Sequence, residues 1–313
     1  MNIVLLEGLG VSGQVMERHI RSLEARGHTF TAYEKNTNPA VQRERSRNAD
    51  VLMLANMPLD GSVIQEAPNL KLIDVAFTGV DHIPVAEAKE RGITVCNASG
   101  YATQAVAELC IGFMIQLLRH VNQTEARCRS GGTKDGLIGG LLRGKTVGII
   151  GAGAIGRRTA ALCKAFGCKV IAYSRSTVSD PAIDEQVPLE ELLRRSDVVS
   201  LHCPLTPETR GMIGRAELSV MKSTAVLINT ARGAVVDSEA LAEALSGGTL
   251  GGAACDVFET EPPLPADHPL FRSPNTIVTP HIAFASKESL EQRVEIVFDN
   301  LDAWLDGHPK NTI

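Results

Sequence analysis

Six residues, Gly151-Ala152-Gly153-Ala154-Ile155-Gly156, constrain this 313-residue chain more than any other stretch. Apolar residues 146–150 precede them as a strand candidate, and residues 157–166 follow with helical spacing. On its own G-x-G-x-x-G is a weak signal, and the plain alternative is a structural turn. Between a strand and a helix it is the turn of a dinucleotide-binding βαβ unit: Gly151 for the tight bend, Gly153 for close approach of pyrophosphate, Gly156 for helix–strand packing. The phosphates would then meet the helix N-terminus at Ala154 and Ile155, where free N–H groups and the dipole favour anions. The next strand ends in Tyr173-Ser174-Arg175-Ser176, with no carboxylate to receive ribose hydroxyls. Ser174 and Ser176 can hydrogen-bond and Arg175 can pair with a 2′-phosphate, so NADP is favoured over NAD; the alternative is an Arg175 solvated over the adenine.

The rest of the chain repeats the same rhythm. Short apolar runs at residues 3–6, 30–33, 51–55, 72–77 and 94–97 alternate with helical stretches, and a second series follows at 146–150, 170–173, 198–202, 225–229, 253–257 and 276–279. Two doubly wound parallel sheets are predicted. Between them, Val106, Leu109, Cys110, Phe113, Leu117 and Val121 recur at three and four, predicting one connecting helix over residues 102–120. Residues 286–305 read as a final helix returning to the first domain, and the glycine-rich residues 130–140 as a surface loop.

With 44% hydrophobic and 21% charged residues the chain is an ordinary globular protein, and its net charge of −5 offers no basic surface for nucleic acid or an anionic membrane. The N-terminus has no basic stretch ahead of an apolar one and no apolar run is long enough to span a bilayer, so a cytoplasmic protein is expected. Seven cysteines without C-x-x-C spacing predict buried free thiols and no metal site.

Three signatures follow the later strands: Asn229-Thr-Ala-Arg232-Gly, Asp256-Val-Phe-Glu-Thr-Glu261-Pro262 and Thr279-Pro280-His281-Ile282. Each would be held at the carboxyl edge of a sheet, where ligands bind in open α/β folds. Together with Thr78-Gly79-Val80-Asp81, Ala105-Val-Ala-Glu108 and Leu201-His-Cys-Pro204 before Glu208-Thr209, they make the whole chain resemble the D-isomer-specific 2-hydroxyacid dehydrogenases. The resemblance implies an α/β protein in which a Rossmann cofactor domain, residues 101–284, is inserted into a flavodoxin-like substrate domain, residues 1–100 and 285–313. It implies a homodimer, to which residues 102–120 contribute.

It also implies that Arg232, Glu261 and His281 act together. Reducing a ketone requires a proton on oxygen, which a His can supply near neutral pH. A carboxylate such as Glu261 would favour the imidazolium and fix its orientation. The planar fork of Arg232 suits a substrate carboxylate. Cys203, Pro204, Thr209, Thr230, Ala231, Asp256 and Ala283 are expected on the cofactor side, with a helix or loop cap as the plain alternative for Asp256. Thr78 and Gly79 would hold the substrate carboxylate from the first domain, across a cleft from Arg232.

The substrate is expected to be an unphosphorylated 2-keto or D-2-hydroxy acid of the glyoxylate or hydroxypyruvate kind. The loop Ala55-Asn56-Met57-Pro58-Leu59-Asp60 carries no cation for a phosphate, whereas Asn56 can bond a hydroxyl and Met57 suits an apolar substituent. D-3-phosphoglycerate dehydrogenation and a dinucleotide-sensing co-repressor role are the alternatives. Short-chain dehydrogenase chemistry is excluded, because Tyr33, Tyr101 and Tyr173 have Thr37, Ala105 and Thr177, not Lys, four residues on.

Overall fold

Strands form from runs of β-branched and other apolar residues, buried on both faces at the centre of a parallel sheet covered by helices and left largely exposed at an edge such as Thr29–Ala32. In the computed structural model, which describes residues 1–260 and 263–313, the first five are β1 (Asn2–Leu5), β2 (Thr29–Ala32), β3 (Val51–Leu54), β4 (Leu72–Val75) and β5 (Thr94–Asn97). They make a parallel sheet in the order β2-β1-β3-β4-β5, the flavodoxin-like winding. All residues of β3 and β4 are buried. Each large apolar side chain among them contributes roughly 1.5–3 kcal/mol relative to exposure.

The second sheet contains β6 (Thr146–Ile150), β7 (Lys169–Tyr173), β8 (Glu185–Gln186), β9 (Val198–Leu201), β10 (Val226–Asn229), β11 (Gly252–Cys255) and β12 (Thr276–Val278). Its order, β12-β11-β10-β9-β6-β7-β8, is a Rossmann sheet extended by β12, with every pair parallel. β8 was absent from the sequence expectation: it is two exposed polar residues with no apolar run to mark it.

The chain divides into two units, residues 1–102 with 285–313, and residues 103–284. The helix Lys287–Leu305 belongs to the first. Its Asn300 donates to Asp74 Oδ1 at 3.1 Å and to the Asn97 carbonyl at 2.9 Å, fastening it beneath β4 and β5. No helix among the described residues is long and apolar enough to cross a membrane.

The connecting helix differs from expectation. It spans Thr103–Leu118; His120 then takes the left-handed conformation at φ 52°, and a separate helix runs Val121–Arg129. The apolar periodicity ran through this break because Val121 is apolar, yet Val121 is 40% exposed. The break has a partner in the glycine-rich loop, whose Gly140 N–H donates to the Leu118 carbonyl at 2.8 Å. A Cβ at Gly139 would overlap that same carbonyl. The thiols also need correction: Cys128 is exposed and Cys203 half-buried, while the other five are buried.

Candidate active site

The glycine turn leaves β6 and enters the helix Ala154–Ala165. Gly151 has φ +96°, and a Cβ there would lie 2.7 Å from the backbone of His202 and Cys203, so the loop after β9 can close on it only as glycine. At Gly156 a Cβ would overlap the Gly151 carbonyl. Gly153, the N-cap, has nothing within 4 Å of a Cβ position, and Gly153 and Ala154 are exposed with Ile155 half-buried. The result is a tight turn with an open face at a helix N-terminus. That fits the pyrophosphate of a dinucleotide.

Beyond β7, Gln186 of β8 donates to the carbonyls of Ser174 and Ser176, both at 3.0 Å, and accepts from Val178 N–H at 2.9 Å. Sequence reasoning missed this residue, which gives the 174–178 loop its shape. Arg175 is exposed there. Glu208 lies low in pKa through hydrogen bonds from the Thr206 side chain and its own amide, with Arg175 adding its charge.

After β9, Thr209 Oγ1 donates to the Pro204 carbonyl at 2.7 Å and accepts from Thr206 N–H at 2.8 Å, tying the loop that begins at Cys203. Desolvation lowers His202 to about 4, so its ring is neutral and shares a proton with Ser200 Oγ at 2.9 Å. Thr230 meets the buried Cys110 thiol at 3.3 Å. Burial pushes that thiol up to about 11, so it stays protonated.

Arg232 stands half-buried between β10 and the short helix Gly233–Val235. Asn229 sets its loop, accepting from Ala231 N–H at 3.1 Å and donating to the Arg232 carbonyl at 3.0 Å. Gly233 closes the motif that begins at Asn229. In the structure a Cβ there would overlap the Phe258 carbonyl, so this glycine lets the Arg232 loop close on the segment after β11.

His281 sits half-buried with φ 55°, a left-handed conformation that side chains other than glycine seldom adopt. Asp256 holds it there. The Asp256 carbonyl accepts the His281 amide at 2.8 Å, Oδ1 accepts from Thr279 Oγ1 at 2.6 Å and Ile282 N–H at 2.8 Å, and Oδ2 accepts from Ala283 N–H at 2.8 Å. Burial pushes the Asp256 carboxyl up, against the hydroxyl and two amides that favour its charged form. These contacts make Asp256 the cap of the loop at residues 279–283. Asp256 is fully buried and Ala283 nearly so, and both serve the turn that presents His281. Glu261 and Pro262 lie outside the described residues. No cluster of metal-ligating side chains occurs among the described residues.

In the first unit, Thr78 is exposed and Gly79 half-buried beyond β4, with the Thr78 carbonyl accepting from Asn97 Nδ2 at 2.7 Å. In the loop after β3, Asn56 is half-buried. Met57 is fully buried, so it cannot meet a substrate substituent as expected; it belongs to the core. Asp60 caps the helix Gly61–Glu66, accepting from Ser62 N–H at 2.9 Å.

The sheet order and the glycine cradle define a dinucleotide-binding protein of the Rossmann class. Residues 111–283 match the family model for the D-isomer specific 2-hydroxyacid dehydrogenase, NAD binding domain. A glycerate dehydrogenase from Methylorubrum extorquens is 40% identical over 298 residues, covering 91% of this chain and 92% of its own. A glyoxylate reductase from Thermococcus litoralis is 41% identical over 286 residues, covering 87% and 86%. The structure of an acyclic imino acid reductase in complex with NADPH and D-arginine superposes with a TM-score of 0.92 at 28% identity, over 100% of both chains. The chain belongs to the D-isomer-specific 2-hydroxyacid dehydrogenases and is an oxidoreductase acting on the CH–OH group with a pyridine nucleotide.

Proposed function

We propose that this enzyme reduces a small, unphosphorylated 2-keto acid such as hydroxypyruvate or glyoxylate to its D-2-hydroxy acid, with NADPH preferred over NADH. The observation that carries the substrate reading is the loop at residues 55–60. It offers the half-buried amide of Asn56 and no cation, and Arg43 nearby is engaged by Glu66 at 3.2 Å and Ser62 at 2.9 Å. A dianionic phosphate would find no countercharge in that loop. The names of the glycerate dehydrogenase and glyoxylate reductase relatives agree with this choice.

Bound reduced nicotinamide supplies the hydride. His281 supplies the proton that the keto oxygen takes up, Glu261 favours its imidazolium form, and Arg232 binds the substrate carboxylate and polarises the keto group. The first unit, as substrate domain, adds Thr78 and Gly79, whose backbone amides hold the carboxylate, and Asn56 for the substituent. On the cofactor side stand Gly151, Gly153, Ala154, Ile155 and Gly156 for the pyrophosphate, with Ser174, Arg175 and Ser176 for the adenosine end. Arg175, exposed beyond β7, suits a 2′-phosphate, which NADH lacks.

The cysteines are all unpaired thiols, in keeping with a reducing cytoplasm. A homodimer is the assembly we assign. Ile138 and Leu141, 85% and 66% exposed, give the 103–284 unit an apolar face to cover.

The test is kcat/KM for hydroxypyruvate, glyoxylate and phosphohydroxypyruvate with each coenzyme, repeated with Arg175→Ala. Preference for phosphohydroxypyruvate by about tenfold or more, roughly 1.4 kcal/mol of transition-state binding, overturns the substrate reading. Equal losses of NADPH and NADH use in the variant overturn the coenzyme reading.

A further inference from the structure

Glu7 follows β1 and is 4% exposed, a depth at which a carboxylate is rare unless it has partners. Its Oε1 accepts two backbone amides, Ala55 N–H at 2.8 Å and Met57 N–H at 2.7 Å. Lys35 Nζ stands 3.7 Å from Oε2. The buried Arg293, whose Nη2 donates to the Leu9 carbonyl at 2.6 Å, adds a second positive charge from the helix Lys287–Leu305.

One carboxylate oxygen thus draws in the amides on either side of Asn56. Ala55 and Met57 are buried, and Asn56 between them is half-buried. The rest of the loop is equally fixed. His82 Nε2 donates to the Ala55 carbonyl at 2.8 Å, and Leu59 N–H donates to the His82 carbonyl at 3.1 Å. Gln42 donates to the Pro58 carbonyl at 2.9 Å and accepts from Asp60 N–H at 3.3 Å. A loop gripped at so many backbone atoms has lost its conformational freedom before any ligand arrives, which is what a specificity-determining side chain needs.

We propose that Glu7 is a positioning residue that sets substrate choice: by clamping residues 55 and 57 it turns the Asn56 amide toward the substituent on the keto carbon. The inference rests on the reading above that Asn56 meets the substrate. A charged acceptor suits the task because two donors converge on one oxygen out of reach of water, where such bonds are at their strongest. Of the two substrates, hydroxypyruvate carries a hydroxymethyl group for Asn56 to bond, and glyoxylate carries only hydrogen. Loss of the clamp therefore falls on hydroxypyruvate.

The experiment compares kcat/KM for hydroxypyruvate and glyoxylate in Glu7→Ala, Glu7→Gln, Asn56→Ala and the Glu7→Ala/Asn56→Ala double variant, with NADPH binding followed by fluorescence. Glu7→Ala is expected to lose about tenfold or more on hydroxypyruvate, mainly through KM, with glyoxylate and NADPH binding little changed. Glu7→Gln, whose amide oxygen can still accept both N–H groups, is expected to recover most of the loss. In the double variant the ratio of the two substrates should be no worse than in Asn56→Ala alone, as for two residues acting through one contact.

Equal losses on both substrates in Glu7→Ala mean a merely structural carboxylate and overturn the proposal. So does a normal ratio in Glu7→Ala when Asn56→Ala shifts it, and in that case the reading of Asn56 stands. A normal ratio in Asn56→Ala overturns that reading and the clamp with it. Should Glu7→Ala fail to fold, Glu7→Asp replaces it: one methylene shorter, it is expected to lose the discrimination as well, and retaining it overturns the clamp.

Discussion

Asp256 commits both carboxylate oxygens to the turn at residues 279–283, and that turn keeps His281 in a left-handed conformation. Replacing it with Asn puts an NH2 group where an oxygen accepted a buried donor, which costs about 1–3 kcal/mol for the partner left unpaired. Misplacing His281 by even an ångström can lower kcat by up to about 10²-fold. Asp256→Asn is therefore expected to lower both kcat and Tm, and His281→Ala to lower kcat by on the order of 10²–10⁴ with Tm and NADPH affinity near normal. Steady-state kinetics beside thermal melts separates the two: an Asp256→Asn enzyme with full kcat removes Asp256 from the positioning of His281. From the sequence Asp256 stood out by its place after a strand, but nothing local shows that its carboxylate receives amides 26 and 27 residues on. Glu7 was hidden for the same reason, since it acts on residues 48 and 50 positions away.

Among the elements, the turn from β6 into its helix separates two kinds of glycine. Gly156→Ala forces a Cβ into the Gly151 carbonyl and is expected to destabilise the 103–284 unit, whereas Gly153→Ala meets open space and should melt normally while binding NADPH more weakly. Calorimetry and fluorescence titration check this pair, and a Gly153→Ala enzyme with unchanged affinity would show that the pyrophosphate lies elsewhere. Strands were legible because burial on both faces requires apolar runs, as in β3 and β4. β8 and the break after Leu118 were not, because a tertiary partner makes each: β7 for the first, the loop at Gly139 and Gly140 for the second.

β4 carries another feature that composition conceals. Asp74 is fully buried, and desolvation raises it to about 8 against the opposing hydrogen bond from Asn300. In the unfolded chain it ionises near pH ~3.9. The folded form thus binds the extra proton between those values, and its contribution to stability is complete only below that window and declines as pH rises through it. Asp74→Asn, a permanent mimic of the neutral acid, is expected to gain on the native protein in Tm between pH 5 and pH 9. A constant difference across that range would show that Asp74 does not titrate with folding.

For the whole molecule, the apolar groove lined by Ile115, Leu118, Leu141, Leu142 and Phe166 is the face on which the homodimer reading turns. Leu141→Asp places a charge there and is expected to weaken self-association about tenfold or more, read by sedimentation velocity. An unchanged self-association removes this face from the proposed homodimer. The division of the chain into a continuous unit and a split one has a consequence for biosynthesis. Residues 103–284 are contiguous, so that sheet can close as soon as they leave the ribosome. Residues 1–102 cannot: until Asn300 reaches Asp74 and the Asn97 carbonyl, and Ile313 N–H reaches the Val95 carbonyl, β4 and β5 lack their covering helix and last backbone partners. Residues 1–102 thus wait for residues 285–313 across the whole of the other unit, and during that interval their apolar strands are the part of this chain most exposed to misassociation.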